Sequence, residues 1–147
     1  MQYQLGYLCA GDLGSLSHIL VNDLVLDSAV FQRLQQATAS QPAVLQELCR
    51  DYVAEARSTL AQLQEAIQQS DAARLRDRAH YLKGSSMMLG AQQLSRACAT
   101  LEQMGRNSDL TEAASALKDA SAALKNVEIE LEQIVGATVL PAEGSAA

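Results

Sequence analysis

One histidine, His80, is followed by a lysine and a glycine at helical spacing. Apolar or small residues recur around it every three or four positions, the period of one buried helical face. They are Leu75, Ala79, Leu82, Ser86 and Leu89. The same period turns His80, Lys83 and Gly84 to the opposite face, where residues three and four positions apart are neighbours. The sequence therefore predicts an exposed histidine with a lysine and a glycine one helical turn away.

These three residues suit phosphoryl transfer. A neutral imidazole nitrogen is a nucleophile that needs little activation near neutral pH. The ammonium of Lys83 can meet phosphoryl oxygens as a point charge. Gly84 costs a helix roughly 1 kcal/mol relative to alanine, so its presence indicates that something must approach closely there. We therefore expect His80 to react with a phosphoryl group brought by a partner.

Four longer segments with helical periodicity predict the scaffold that positions His80. They are residues 41–69, 71–89, 91–105 and 110–135. Because short connections join these amphipathic segments, the predicted fold is all-α, an antiparallel up-and-down four-helix bundle. Local signals support the boundaries: Pro42 suits a first helical turn, Gly90 suits a left-handed cap, and Asp109 with Glu112 resembles a capping box.

Residues 1–135 are predicted to form a single domain, and residues 136–147 a flexible C-terminal tail. The bundle occupies residues 41–135, and additional short N-terminal helices precede it within residues 12–38. Asp27 is the predicted N-cap of the second of these helices.

The charge of the chain argues against nucleic acid as its main partner, because the formal net charge is −6. Residues 71–106 are an exception, with six basic and three acidic side chains. Positive charge thus gathers around His80, where it could attract an acidic, phosphorylated active site. The alternative is that these arginines are ordinary solvated residues of a helix surface.

Cysteine usage and hydropathy indicate a cytoplasmic protein. Cys9, Cys49 and Cys98 are odd in number and lack C-x-x-C spacing, which fits a reducing compartment. Cys49 and Cys98 are predicted to be small buried residues. No secretory signal and no membrane-spanning run is evident. We expect a monomer in the cytoplasm, with the nucleus as a further location in a eukaryote.

The string H-Y-L-K-G-S-S-M-M-L-G-A-Q, from His80 to Gln92, resembles the signature of histidine-containing phosphotransfer (HPt) proteins. The resemblance is to the free-standing plant and yeast phosphorelay intermediates especially, and it continues through Cys98 and Met104-Gly105-Arg106. It implies that His80 accepts a phosphoryl group from a receiver-domain aspartyl phosphate and passes it to another receiver domain. The partners it implies are receiver domains of hybrid sensor histidine kinases and of response regulators.

The resemblance also implies roles for the residues around His80. Lys83 would be the cation that supports the phosphate, and Gly84 would be the small residue beside the ring. Ser85 and Gln92 match the motif, so they would support the phosphate or orient the ring. For Gln92 the alternative is that its amide faces solvent.

Four more residues are expected on the face that docks a receiver: Arg76, Met87, Glu102 and Arg106. Glu102 stands where the yeast relative has an uncharged amide, which would place a carboxylate near that face. Met87 could belong to an adaptable docking patch, or it could pack on the edge of a neighbouring helix.

The chain shows no Gly-rich nucleotide loop, so we expect a phosphocarrier without autonomous kinase activity. No cofactor or metal of its own is expected, because in the family that it resembles the receiver supplies the Mg²⁺. The alternative function is a helical-bundle adaptor that binds receiver domains without phosphorylation. The presence of His80, Lys83 and Gly84 together argues against that alternative.

Overall fold

A computed structural model describes residues 25–136 of the chain. The regular elements within these residues are all helices: α1 (Ser28–Ala37), α2 (Pro42–Gln68), α3 (Ala72–Leu89), α4 (Gln92–Asn107) and α5 (Ala113–Val135). The all-α prediction is confirmed. The helical pattern within residues 12–24, Cys9, and residues 137–147 of the predicted tail lie outside the described residues.

Helices α2 to α5 form the predicted four-helix bundle. Each packs against its neighbour in sequence, and α5 packs against α2 to close the ring. The connections are short, which makes consecutive helices antiparallel. Helix α1 lies outside this ring and packs against α3.

Aliphatic side chains fill the core. The largest that are fully buried are Leu63, Leu75, Leu82, Leu94, Leu101 and Leu131. Each stabilises the fold by roughly 1.5–3 kcal/mol relative to an exposed position. Cys49 and Cys98 are buried among them, as predicted, and burial raises the pKa of these thiols to about 11 and about 12. They therefore pack as small hydrophobic residues rather than as thiolates.

Asp71 and Gly90 fix the two ends of α3. The carboxylate of Asp71 accepts a hydrogen bond from the backbone N–H of Arg74 at 3.0 Å. Gly90 has a left-handed backbone (φ +89°), and its carbonyl accepts the N–H of Asp27 at 2.7 Å. A Cβ on Gly90 would lie 3.1 Å from the Cβ of Val30. The glycine thus both ends α3 and lets α1 pack on that end.

Gly105 differs from its predicted role as the end of a helix. Helix α4 continues through it to Asn107, and Gly105 is buried. A Cβ on Gly105 would lie 2.7 Å from the backbone nitrogen of Arg76 and 2.8 Å from the carbonyl oxygen of Ala72. This glycine is therefore needed because α3 and α4 approach closely.

The predicted capping box before α5 is wrong. The Asp109 carboxylate instead accepts hydrogen bonds from the backbone N–H of Thr111 (3.2 Å) and from its hydroxyl (2.6 Å). Glu112 is the N-cap residue and makes no side-chain capping bond. Asp109 thus stabilises a local turn, a common alternative use of an aspartate near a helix start.

Candidate functional site

The two faces of α3 are those that the periodicity predicts. Its five buried residues are Leu75, Ala79, Leu82, Ser86 and Leu89. On the other face the His80 side chain is 66% exposed and that of Lys83 is 28% exposed. Gly84 is exposed, and a Cβ placed on it would meet no heavy atom within 4 Å. The space beside the imidazole ring is therefore open.

Ser86 shows how this phase of α3 is held. It is fully buried, and its hydroxyl lies 2.8 Å from the Tyr52 hydroxyl of α2. A buried polar pair of this kind fixes the helix rotation because a shift would leave both groups unsatisfied. Ser86 thus acts as a small core residue.

The His80 ring is anchored by a carboxylate of the adjacent helix. Its Nδ1 lies 3.0 Å from Oε2 of Glu102. Glu102 was expected on the docking face, but only 4% of its side chain is exposed. The reason is its phase on α4, where it shares the inward face with Cys98 and Gly105. Glu102 therefore lies beneath the imidazole rather than beside it on the surface.

Three donors surround the Glu102 carboxylate. Lys83 Nζ lies 2.6 Å from Oε1, and Arg106 Nη2 lies 2.5 Å from Oε2, which also faces His80. Hydrogen bonds from Lys83, Arg106 and His80 lower the pKa of Glu102 to about 2, although burial acts in the opposite direction. Glu102 is therefore ionised at neutral pH.

The ionised carboxylate determines which nitrogen of His80 carries hydrogen. A carboxylate without a proton can only accept a hydrogen bond. In the neutral ring, Nδ1 must then be the donor, and Nε2 must hold the lone pair. Glu102 thus selects Nε2 as the nucleophilic nitrogen.

Arg76 and Arg106 lie on one side of His80. Arg76 Nε pairs with Asp77 at 2.9 Å, and the Arg106 side chain is 54% exposed. A cleft of about 530 Å³ opens between them, lined by Arg76, Asp77, Arg78, His80, Glu102 and Arg106. Guanidinium groups in such a cleft favour an anion near the ring.

Gln92 and Ser85 form their hydrogen bonds with groups other than His80. The Gln92 amide donates to the Asp27 carboxylate at 2.9 Å, which ties α4 to the N-cap of α1. The Ser85 hydroxyl donates to the Leu82 carbonyl at 3.2 Å. The structure therefore does not bring these two residues to the ring, and Glu102 makes the contact that the sequence had assigned to Gln92.

Exposed apolar side chains lie on α3 both before and after Gly84. The exposed fraction is 61% for Met87 and 81% for Met88, and Tyr81 is 44% exposed. Met87 thus does not pack into a helix edge. The two flexible methionine side chains add apolar surface about two turns of α3 beyond His80.

The apolar spacing of α4 indicates that Glu102 lies on the buried face of this helix. Leu94, Cys98 and Leu101 recur at the spacing of one buried helical face, and Glu102 follows Cys98 by four positions. A carboxylate on such a stripe must be paired when buried. The pattern could have indicated a partnered acid, but it could not have named His80, which is 22 residues away in sequence.

Two further features concern metals and membranes. Within residues 25–136, no group of three or more His, Cys, Asp and Glu side chains is arranged to hold a metal ion. None of the helices described above is long and apolar enough to cross a membrane.

Sequence comparison places the site in a known family. The family model for the Hpt domain matches residues 47–137. Multistep phosphorelay regulator 1 of Schizosaccharomyces pombe is 27% identical over 97 residues, which are 65% of this chain and 33% of that protein. The chain thus spans about a third of the length of this curated relative.

Solved structures of similar fold include a histidine-containing phosphotransfer protein and a yeast phosphorelay protein. Histidine-containing phosphotransfer protein B (HptB) of Pseudomonas aeruginosa superposes with a TM-score of 0.70 at 29% identity, over 78% of this chain and 96% of that chain. Yeast Ypd1p gives a TM-score of 0.71 at 17% identity over the same shares. The likeness to Ypd1p is evidence for the fold alone.

Proposed function

Because the chain belongs to the Hpt domain family, we propose that it is a phosphocarrier of a multistep phosphorelay. His80 accepts a phosphoryl group from an aspartyl phosphate on one receiver domain. It then passes the group to an aspartate on a second receiver domain. The partners are receiver domains of hybrid sensor histidine kinases and of response regulators.

The contact between His80 Nδ1 and Glu102 is the observation that carries this proposal. It supports reaction at Nε2 because the carboxylate holds the other nitrogen and the ring as a whole is exposed. An anchored ring also needs less ordering when the donor docks, which favours transfer through alignment.

The transfer step follows from that arrangement. The lone pair of Nε2 attacks phosphorus, and the bond between phosphorus and the aspartyl oxygen breaks. The electron pair of that bond returns to the aspartate, which leaves as a carboxylate. The Nδ1–H of His80 stays directed at Glu102, so the ring gains positive charge next to an anion.

Lys83 and Gly84 have separate roles in this proposal. The Lys83 ammonium can turn from Glu102 toward the phosphoryl oxygens, which carry the charge in the transition state. Gly84 gives the receiver room to bring its aspartate in line with Nε2, because nothing fills the space above it. The exposed Met87 and Met88 offer an adaptable surface to partners of different shape.

We expect the receiver to bring the Mg²⁺ ion, which neutralises charge on the transferring group. The chain itself acts as a monomer and has no autonomous kinase activity. Its own contribution is to hold His80, to place Lys83 beside it and to leave the ring accessible.

Transfer from radiolabelled receiver domains tests the proposal. A panel of phosphorylated receivers is mixed with the unsubstituted chain, with His80→Gln and with His18→Gln. Label is expected on the unsubstituted chain and on His18→Gln, and none on His80→Gln. His18 is the other histidine of the chain, lies outside the described residues and serves as the matched control.

Equal labelling of His80→Gln would contradict the proposal. So would tight binding of receivers by the unsubstituted chain without any transfer, which would favour the adaptor. Calorimetric titration of His80→Gln with the same receivers separates loss of binding from loss of reaction.

A further inference from the structure

We propose that Glu102 is a positioning residue in the phosphorylated state of His80 as well as in the free state. It keeps the proton on Nδ1 of His80, so that the leaving group is neutral imidazole when the phosphoryl group is transferred. This inference rests on the proposed function of His80.

The geometry allows the contact to survive phosphorylation. A phosphoryl group on Nε2 occupies the ring nitrogen that Glu102 does not touch. The anchoring contact is a 3.0 Å hydrogen bond between Nδ1 and Oε2. Its acceptor is buried, with 4% of the side chain exposed, so water competes little for it. The carboxylate therefore faces Nδ1 in both states.

The proton on Nδ1 determines whether the leaving group is imidazole or imidazolate. When Nε2 carries the phosphoryl group and Nδ1 carries hydrogen, the ring is cationic. As the bond between Nε2 and phosphorus breaks, its electron pair returns to Nε2, and the ring becomes the neutral Nδ1–H imidazole. The phosphoryl group goes to an oxygen of an acceptor carboxylate or of water. If Nδ1 had lost its proton, the leaving group would be imidazolate, a far stronger base and a slower leaving group.

An adjacent anion extends the pH range over which Nδ1 stays protonated. An opposite charge within about 4–6 Å typically moves a pKa by 1–3 units toward the charged form. A carboxylate bonded to a histidine Nδ1–H stabilises the cationic ring in the same way in the serine protease triad. Glu102 is the anion in direct contact with this ring.

The surrounding charges act in both directions. Lys83 and Arg106 contact the same carboxylate and disfavour extra positive charge on the ring. The charged residues that line the site are Arg76, Asp77, Arg78 and Lys83 on α3, with Glu102 and Arg106 on α4. The hydrogen bond from the ring itself is the contact that decides where the Nδ1 proton stays.

The pH dependence of phosphohistidine hydrolysis tests this inference. The full chain is loaded on His80 with phosphoramidate, and phosphate release is followed from pH 5 to pH 9. The rate should fall as Nδ1 loses its proton, with a midpoint that measures its pKa. In Glu102→Gln the midpoint should move down by about one pH unit or more.

Asp119→Asn is the matched control. Asp119 is exposed on α5, which packs against α2 and α4, and it does not line the cleft, so this variant changes the net charge equally without removing an anion beside the ring. Its midpoint should stay near that of the unsubstituted chain. A folded Glu102→Gln with the unsubstituted midpoint, or an equal shift in Asp119→Asn, would overturn the inference.

A second measurement covers the case in which Glu102→Gln does not fold. In the unsubstituted chain, ¹⁵N shifts of phosphorylated His80 should show a protonated Nδ1 at a pH about one unit above that at which free Nε2-phosphohistidine loses its proton. Loss of the proton at the same pH as in free phosphohistidine would overturn the inference. Loading with phosphoramidate needs no receiver, so absence of transfer from receivers would count against the proposed function alone.

Discussion

Gly105 of α4 lies against the backbone of Ala72 in α3, so closely that a Cβ on Gly105 would stand 2.8 Å from the Ala72 carbonyl oxygen. Glu102 precedes Gly105 by about one turn of α4, and His80 follows Ala72 by about two turns of α3. The close approach of the two backbones therefore sets the separation that Glu102 must span to reach His80. The contact between carboxylate and imidazole depends on a glycine that touches neither group.

Gly105→Ala should destabilise the bundle by about 1–3 kcal/mol, because the added methyl must push α4 away from α3. Gly84→Ala is the matched control, since the same change at an open, exposed helix position should raise the free energy of unfolding by up to about 1 kcal/mol. Urea denaturation measures both. Equal effects of the two substitutions would mean that the glycine at position 105 is not a packing requirement.

Gly84→Gln should leave the bundle folded and reduce transfer on the order of 10²-fold, because the new side chain holds the receiver's aspartate away from Nε2. The Kd for the receiver should rise in parallel. Ala122→Gln, at an exposed position of α5, is the control for adding the same side chain elsewhere. Full transfer by folded Gly84→Gln would show that the receiver does not approach over this position.

Lys83→Ala should slow transfer by about 10²-fold, as expected for the loss of a cation that meets the transferring group. The Tm should also fall, because the substitution leaves Oε1 of the buried Glu102 carboxylate without its ion-pair partner. Lys118→Ala removes an exposed lysine of α5 and controls for net charge. Normal transfer by Lys83→Ala, combined with a lower Tm, would make the lysine a structural partner of Glu102 only.

Glu102 should make the stability of the fold sensitive to acid. Its pKa lies near 2 in the folded protein, below its ordinary value of 4.5. A lowered carboxyl pKa contributes stability above the ordinary value, and that stability is lost as pH falls toward the folded value. The difference in unfolding free energy between the unsubstituted chain and Glu102→Gln should thus shrink between pH 4.5 and pH 2. A difference that stays constant over this range in urea denaturation would contradict the assigned pKa.

Local sequence patterns were sufficient to predict α3 and its bounds. The sequence predicted a helix over residues 71–89, and the structure has Ala72–Leu89 with all five predicted inward residues buried. Apolar spacing, an aspartate before the helix and a glycine after it are signals contained within one element. They determine which face of the helix carries His80.

These local patterns could not predict the contacts between helices. Glu102 was expected near the docking face because it stands where the yeast relative has an uncharged amide. Its burial depends on three donors that only the fold assembles. Gln92 matched a motif, yet its partner is Asp27, 65 residues away in sequence. Periodicity assigns a residue to a face of its helix, but it does not identify the group on the next helix.

The ring nitrogen that carries phosphorus tests the central claim most directly. The chain is labelled with ¹⁵N-histidine, phosphorylated by a receiver domain and studied by NMR through the coupling between ³¹P and ¹⁵N. A single phosphohistidine is expected, with phosphorus bonded to Nε2 of His80 and hydrogen on Nδ1 facing Glu102. Phosphorus on Nδ1 of His80, or on His18, would contradict the assignment of His80 Nε2 as the acceptor.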